Sequence, residues 1–140
     1  MVYVDTSVVV ALLTVEPRTP EIVTWYGELR DTPITSDWLL TEFSSALSIK
    51  LRTGQINEGQ ASLVRKEFEL LAGGGLHIVS VSRDAFRQAA EMVMGHDHGL
   101  RAGDSLHLAV ALELQASHMA TLDETLAKNV KRLGIGLVKF

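Results

Sequence analysis

Short runs of β-branched and apolar residues alternate along the chain with longer segments whose apolar positions recur every three or four residues. That alternation predicts a parallel sheet covered by helices. Strands are expected over Val2–Val4, Ile34–Thr35, Ile78–Val81, His118–Thr121 and Leu137–Phe140. Helices are expected over Val8–Leu13, Pro20–Arg30, Trp38–Thr53, Glu58–Ala72, Arg83–Met94, Ser105–Ala116 and Glu124–Leu133. Glycine tolerates the left-handed geometry that ends helices, so Gly54, Gly73–Gly75 and Gly134 read as stops. Gly95 to Gly103 reads as a loop. There is no internal repeat and no low-complexity tract.

The chain has 140 residues, 46% hydrophobic and 21% charged. Those values are near globular averages and exclude disordered, coiled-coil and collagen-like classes. A chain of this length buries roughly 70% of its unfolded surface, and we expect a single domain over residues 1–140. The absence of cysteine rules out disulfides and thiolate metal sites. The longest apolar stretch, Val8 to Val15, is too short to cross a bilayer of roughly 30 Å. No basic residue precedes it to make a signal peptide, so a soluble, cytoplasmic protein is expected.

Four acids stand out by position, each with an ordinary alternative. Asp5 closes the run Val2-Tyr3-Val4, and the carboxyl ends of strands are where open α/β sheets bind ligands. Asp5, Thr6 or Ser7 would equally serve to cap the next helix. Glu42 lies about one turn into a helix that Ser36 or Asp37 would cap, beside the apolar stripe of Leu39, Phe43, Ala46 and Leu47. A solvated helix glutamate is the plainer reading. Asp104 precedes Leu106–Leu112, which is apolar all round except for His107 and reads as a helix buried in the middle of the fold. Its alternative is an N-cap with Ser105 following. Asp123 follows the fourth strand, where Thr121 and Glu124 have capping-box spacing.

Taken together, two of these acids follow strands and two open helices, all on one edge of the expected sheet. If they converge to ~6 Å, each ionised pair repels by roughly 3 kcal/mol at an effective dielectric near 20. Six pairs cost on the order of 15 kcal/mol, comparable to the whole stability of a domain. Such a cluster requires a cation or retained protons. An all-oxygen donor set suits Mg²⁺ or Mn²⁺ better than zinc, and ligands spread over more than a hundred residues exclude a local calcium loop. Cations held this way commonly act on phosphate esters.

Other features carry less. His96-Asp97-His98 reads as a solvated loop and His107 as a packed or hydrogen-bonded helix residue. Gly73-Gly74-Gly75 follows a helix instead of opening one, so it is no phosphate cradle. The net charge of −4, from 13 basic and 17 acidic residues, would ordinarily disfavour a nucleic-acid partner. With four acids committed to a metal site the remaining charges balance, and the sign decides nothing. Among the basic residues Arg101, three positions ahead of Asp104, is placed to meet a substrate phosphate.

The series Val-Tyr-Val-Asp5-Thr-Ser, Thr-Glu42, Arg-Ala-Gly-Asp104-Ser-Leu-His and Ala-Thr-Leu-Asp123 resembles the PIN-domain ribonucleases over the full length, and specifically the VapC toxins of toxin–antitoxin pairs. The resemblance implies a three-layer α/β/α sandwich around a mainly parallel four- or five-stranded sheet. It implies metal-dependent endonucleolytic cleavage of RNA, with Asp5, Glu42, Asp104 and Asp123 as the acidic quartet holding Mg²⁺ or Mn²⁺. Thr6 or Ser7 would support the quartet through a hydroxyl. It also implies a homodimer and an antitoxin whose tail blocks the groove, for which the apolar Val8–Val15 region is the candidate surface.

Two other classes compete. A phosphoaccepting signalling domain would need an Asp ending the middle strand, and Ile78–Ser82 ends in serine. A catalytically silent RNA- or protein-binding module would gain nothing from four mutually repelling acids.

Overall fold

The computed structural model describes residues 1–140. Five parallel strands, β1 (Val2–Val4), β2 (Ile34–Ser36), β3 (His77–Val79), β4 (His118–Ala120) and β5 (Gly136–Leu137), lie in the order β3-β2-β1-β4-β5. The register pairs Tyr3 with Ile34 on one side and with Met119 on the other. Seven helices connect them: α1 (Thr6–Leu13), α2 (Thr19–Glu28), α3 (Trp38–Arg52), α4 (Glu58–Leu70), α5 (Arg83–Met94), α6 (Ala102–Glu113) and α7 (Glu124–Arg132). This is the expected three-layer α/β/α architecture.

Side chains alternate across a strand, so each central strand feeds two cores. Tyr3 and Met119 enter one with Ala85, Leu106, Leu108 and Val130 from α5, α6 and α7. Val4 and Ala120 enter the other with Val8, Val9, Ile22, Leu39 and Phe43 from α1, α2 and α3. Burial on both faces explains why β1 is apolar throughout. Residues 105–111 of α6 are buried without a break, as its all-round apolar sequence requires. No helix is long and apolar enough to cross a membrane.

Several boundaries differ from the sequence expectation for visible reasons. β5 ends at Leu137 instead of running to Phe140, because the last ring turns away to pack edge-on against Trp25, centroids 5.2 Å apart. Gly54 and Gly134 take the left-handed conformation, at φ 72° and 81°. Gly73–Gly75 do not; they complete a π-helical turn over Leu71–Gly75. Thr121 and Glu124 form no capping box, since Asp123 itself caps α7 and the Thr121 hydroxyl is directed to Asp5. Neither Ser36 nor Asp37 caps α3 through its side chain: Asp37 holds the position without a bond, and Ser36 Oγ accepts from Tyr3.

Two corrections bear on function. α6 begins at Ala102, three residues early, so Asp104 lies inside its first turn and is not the N-cap. The Val8–Val15 region is mostly core, with Val8, Val9 and Ala11 buried. Its far end, Leu12 to Val15, lines a surface groove together with Lys50, Leu63 and Val64.

The strand order also locates the crevice. From β1 the chain moves outward through β2 and β3, then returns to place β4 on the other side of β1. The gap beyond the carboxyl ends of β1 and β4 is therefore the topological switch point, where such sheets bind ligands. Asp5 follows β1 and Asp123 follows closely after β4.

Candidate active site

All four acids line one open cleft of about 460 Å³ at this edge, with Thr6, Ser7, Arg101 and His107. They arrive on separate elements. Asp5 and Asp123 are the N-caps of α1 and α7, accepting from Val8 N at 3.3 Å and Leu126 N at 2.6 Å. Capping and cleft placement thus coexist in the same side chains, because the exposed N–H groups of a helix start face the strand edge. Glu42 comes from the second turn of α3 and Asp104 from the first turn of α6.

Their surroundings differ. Asp5 is buried, yet its oxygens are wired: Ser7 Oγ donates to Oδ1 and Thr121 Oγ1 to Oδ2, each at 2.6 Å. Burial raises its carboxyl above the ordinary range, with His107, Ser7, Thr121 and Val8 pulling the other way. Burial also pushes the Glu42 carboxyl up. The hydrogen bond and charge of His107, then Thr6 and the nearby Trp38 indole, together outweigh it and hold Glu42 below its ordinary value. The Trp38 Nε1–H meets no partner in hydrogen-bond geometry.

Asp104 is the unbalanced member. Burial first, then the charges of Asp123, Asp5 and Glu42, push its carboxyl up to about 6, and only His107 opposes them. This is the electrostatic signature of carboxylates crowded into a partly dry cleft.

Three contributors were not legible as site residues. His107, expected as a hydrogen-bonded helix residue, is buried at the cleft floor with Nε2 2.6 Å from Glu42 Oε2 and Nδ1 2.9 Å from Tyr3 Oη. Its i, i+3 relation to Asp104 places both on one helix face, the only trace of this in the sequence. Thr121 reaches Asp5 across 116 positions, and no local pattern encodes that. Gly103 has no side chain because none fits: a Cβ there would run into Glu42 Oε1 and stand 2.9 Å from Trp38 Nε1. His96 and His98 lie in a short 3₁₀ turn, apart from the cleft.

The family model for the PIN domain matches residues 2–132. The chain belongs to the PIN-domain family. No curated protein matches the sequence. Among solved structures it is similar to Mycobacterium tuberculosis VapC20, described as a sarcin-ricin loop cleaving toxin. Identity is 18%, the TM-score is 0.74, and 92% of this chain and 95% of that one are covered. It is similar to FitAcB from Neisseria gonorrhoeae at 18% identity and TM-score 0.73, over 99% and 97% of the two chains. VapBC2 from Rickettsia felis, solved with a DNA fragment from its promoter, matches at 18% identity and TM-score 0.64 over 99% and 98%. These likenesses establish the fold.

The PIN-domain cleft suits a hard divalent cation by donor chemistry, since it offers carboxylate oxygens and no sulfur. As they are placed, no three of its acidic or histidine side chains could hold a metal ion together. Mg²⁺ does not require three, because it keeps several waters and is usually held by one or two carboxylates. A nearby cation would relieve the repulsion that raises Asp104.

The central strand of the PIN fold is β1, and β3 is an edge strand. The expectation that Ile78–Ser82 ends the middle strand is therefore corrected: Asp5 occupies that place. Asp5 remains a poor phosphoacceptor, being 3% exposed with both oxygens already accepting hydrogen bonds.

Proposed function

We propose that this PIN domain is a VapC-type toxin, a cytoplasmic endoribonuclease that hydrolyses RNA phosphodiester bonds with Mg²⁺ or Mn²⁺. The observation that supports it best is the meeting of four carboxylates from four separate elements in one cleft, with Asp104 raised by the other three. Asp5, Glu42, Asp104 and Asp123 would hold the ion, directly or through the waters it keeps. When bound, it polarises the phosphoryl oxygen and makes water acidic enough to act as a nucleophile near neutral pH.

The remaining work belongs to the chain. Ser7 and Thr121 fix the Asp5 carboxylate, and Thr6 Oγ1 donates to Glu42 Oε2. Arg101, exposed at the rim, meets the substrate phosphate and offsets the negative cleft. No side chain becomes covalently attached to RNA. Single-stranded or looped RNA is the expected substrate, since its backbone and bases are open to a surface cleft.

The partner reading is a cognate antitoxin and a homodimer. FitAB is solved bound to an IR36 DNA fragment and VapBC2 bound to a DNA fragment from its promoter, which supports a partnered assembly here. The groove lined by Leu12, Leu13, Val15, Leu63 and Val64 is the apolar seat such a partner requires.

The deciding assay incubates purified protein with labelled RNA in Mg²⁺ or Mn²⁺, in excess chelator, and as Asp5→Asn. Cleavage is expected only for the unaltered protein with metal. Cleavage that persists in chelator overturns the metal mechanism, and RNA binding without cleavage in any condition establishes the silent module instead.

Gly103→Ala offers a more selective check. Alanine is the better helix former, yet its methyl occupies the place of Glu42 Oε1 and presses on the Trp38 indole. Cleavage is expected to fall about tenfold or more in protein still folded by thermal melting, and an alanine variant of full activity would show that Glu42 need not sit there.

A further inference from the structure

Below the carboxylates runs a buried polar chain, Ser36–Tyr3–His107, that ends on Glu42. Tyr3 Oη donates to Ser36 Oγ at 3.1 Å and lies 2.9 Å from His107 Nδ1. His107 Nε2 is 2.6 Å from Glu42 Oε2, which also accepts from Thr6 Oγ1. The chain crosses β2, β1, α6, α3 and α1 in turn. Three of these five side chains are fully enclosed: Tyr3 and Ser36 are 0% exposed and His107 is 1% exposed.

We propose that His107 is a positioning residue for Glu42. It ties Oε2 down from beneath and leaves Oε1 over Gly103 as the oxygen without a hydrogen-bond partner; this rests on the nuclease reading for its purpose, though not for its geometry. Three facts converge on it. First, an ionised Glu42 obliges Nε2 to carry the proton in that contact, so the imidazole donates whichever way Tyr3 and Nδ1 share theirs. Second, Tyr3 holds the other ring nitrogen, fixing the ring plane as outer partners fix the ligands of metal sites. Third, Oε1 lies over Gly103, where no side chain competes for the space. A glutamate without such a partner would sample several rotamers, and ordering it costs side-chain entropy. Here that ordering is paid for during folding.

The test compares His107→Leu, which keeps bulk and removes the donor, with His107→Gln, which restores an N–H toward Glu42. Two readouts are taken on protein shown folded by thermal melting. One is Mn²⁺ affinity by calorimetry or electron paramagnetic resonance. The other is the Glu42 carboxyl ¹³C resonance, assigned through Glu42→Gln. His107→Leu is expected to weaken Mn²⁺ binding about 10- to 100-fold and to move the Glu42 resonance toward that of a solvated glutamate. His107→Gln should recover most of both.

Wild-type affinity in a folded His107→Leu protein, or equal losses in the leucine and glutamine variants, overturns the proposal. If the unaltered protein binds no Mn²⁺, the metal reading falls, and the ¹³C shift alone decides His107: movement upholds positioning and constancy refutes it. Should the leucine variant fail to fold, the imidazole Nε2 proton of the unaltered protein decides. A far-downfield, slowly exchanging resonance that Glu42→Gln displaces supports the tie, and its absence overturns it.

Discussion

Asp104→Asn should abolish RNA cleavage and make the protein more stable at the same time. The loss is expected to be about 100-fold or more, the scale for removing one preorganised electrostatic group from a phosphoryl-transfer site. The stabilisation follows from its position among three other acids. A carboxyl raised from 3.8 to about 6 represents roughly 3 kcal/mol at full strength, and solvent screening of a half-exposed group reduces it to about 1–2 kcal/mol. Because the folded state holds this proton more tightly than the unfolded chain, native protein binds more protons between pH 3.8 and 6. Stability of the unaltered protein therefore falls as pH rises through that window and stays lower above it. Asp104→Asn removes the fall, so its melting temperature should exceed the unaltered protein's by about 3–6 °C near pH 7 and converge with it below pH 4. Melting curves across pH without divalent metal check this. Added Mn²⁺ should raise the melting temperature of the unaltered protein more than that of the variant.

Glu42→Ala should lose cleavage to a similar degree with the opposite effect on stability. Its carboxylate accepts from His107 and Thr6, and the folded state holds it below its ordinary value despite the cost of burial. Alanine leaves a buried imidazole N–H and a hydroxyl without an acceptor, at a cost of about 1–3 kcal/mol. For a carboxyl depressed on folding, the stabilisation is fully present above the unfolded carboxyl's range and is lost as pH falls through the folded value. The gap between unaltered protein and Glu42→Ala should thus be widest above pH 4.5 and close on further acidification. Denaturant titration at several pH values measures it. Equal stability of the two proteins at pH 7 would mean that the His107–Glu42 contact contributes nothing to the fold.

These opposite signs for two acids of one cleft could not have been read from the sequence. Both appear there as carboxylates near helix starts, beside apolar stripes. What separates them is the company each keeps: Asp104 faces Asp123, Asp5 and Glu42, whereas Glu42 rests on a histidine 65 positions away. Asp123 as a cap is local; the box that the spacing of Thr121 and Glu124 suggests does not form, because the Thr121 hydroxyl is drawn to Asp5 over a distance that no short pattern records. The sheet was legible because strands buried on both faces must be apolar, as Val2–Val4 and His118–Ala120 nearly are.

By itself the sequence determined the layers, the order of helices and strands, the all-round burial of α6, and the four acidic positions at strand ends and helix starts. Those follow from periodicity and local hydrogen bonding, which act over a few residues. Only the tertiary structure decided that β1 is central, that Gly103 must lack a side chain, and that His107 lies beneath Glu42. Each of these depends on which distant groups share a space, and burial makes such contacts strong by excluding the water that would otherwise screen them.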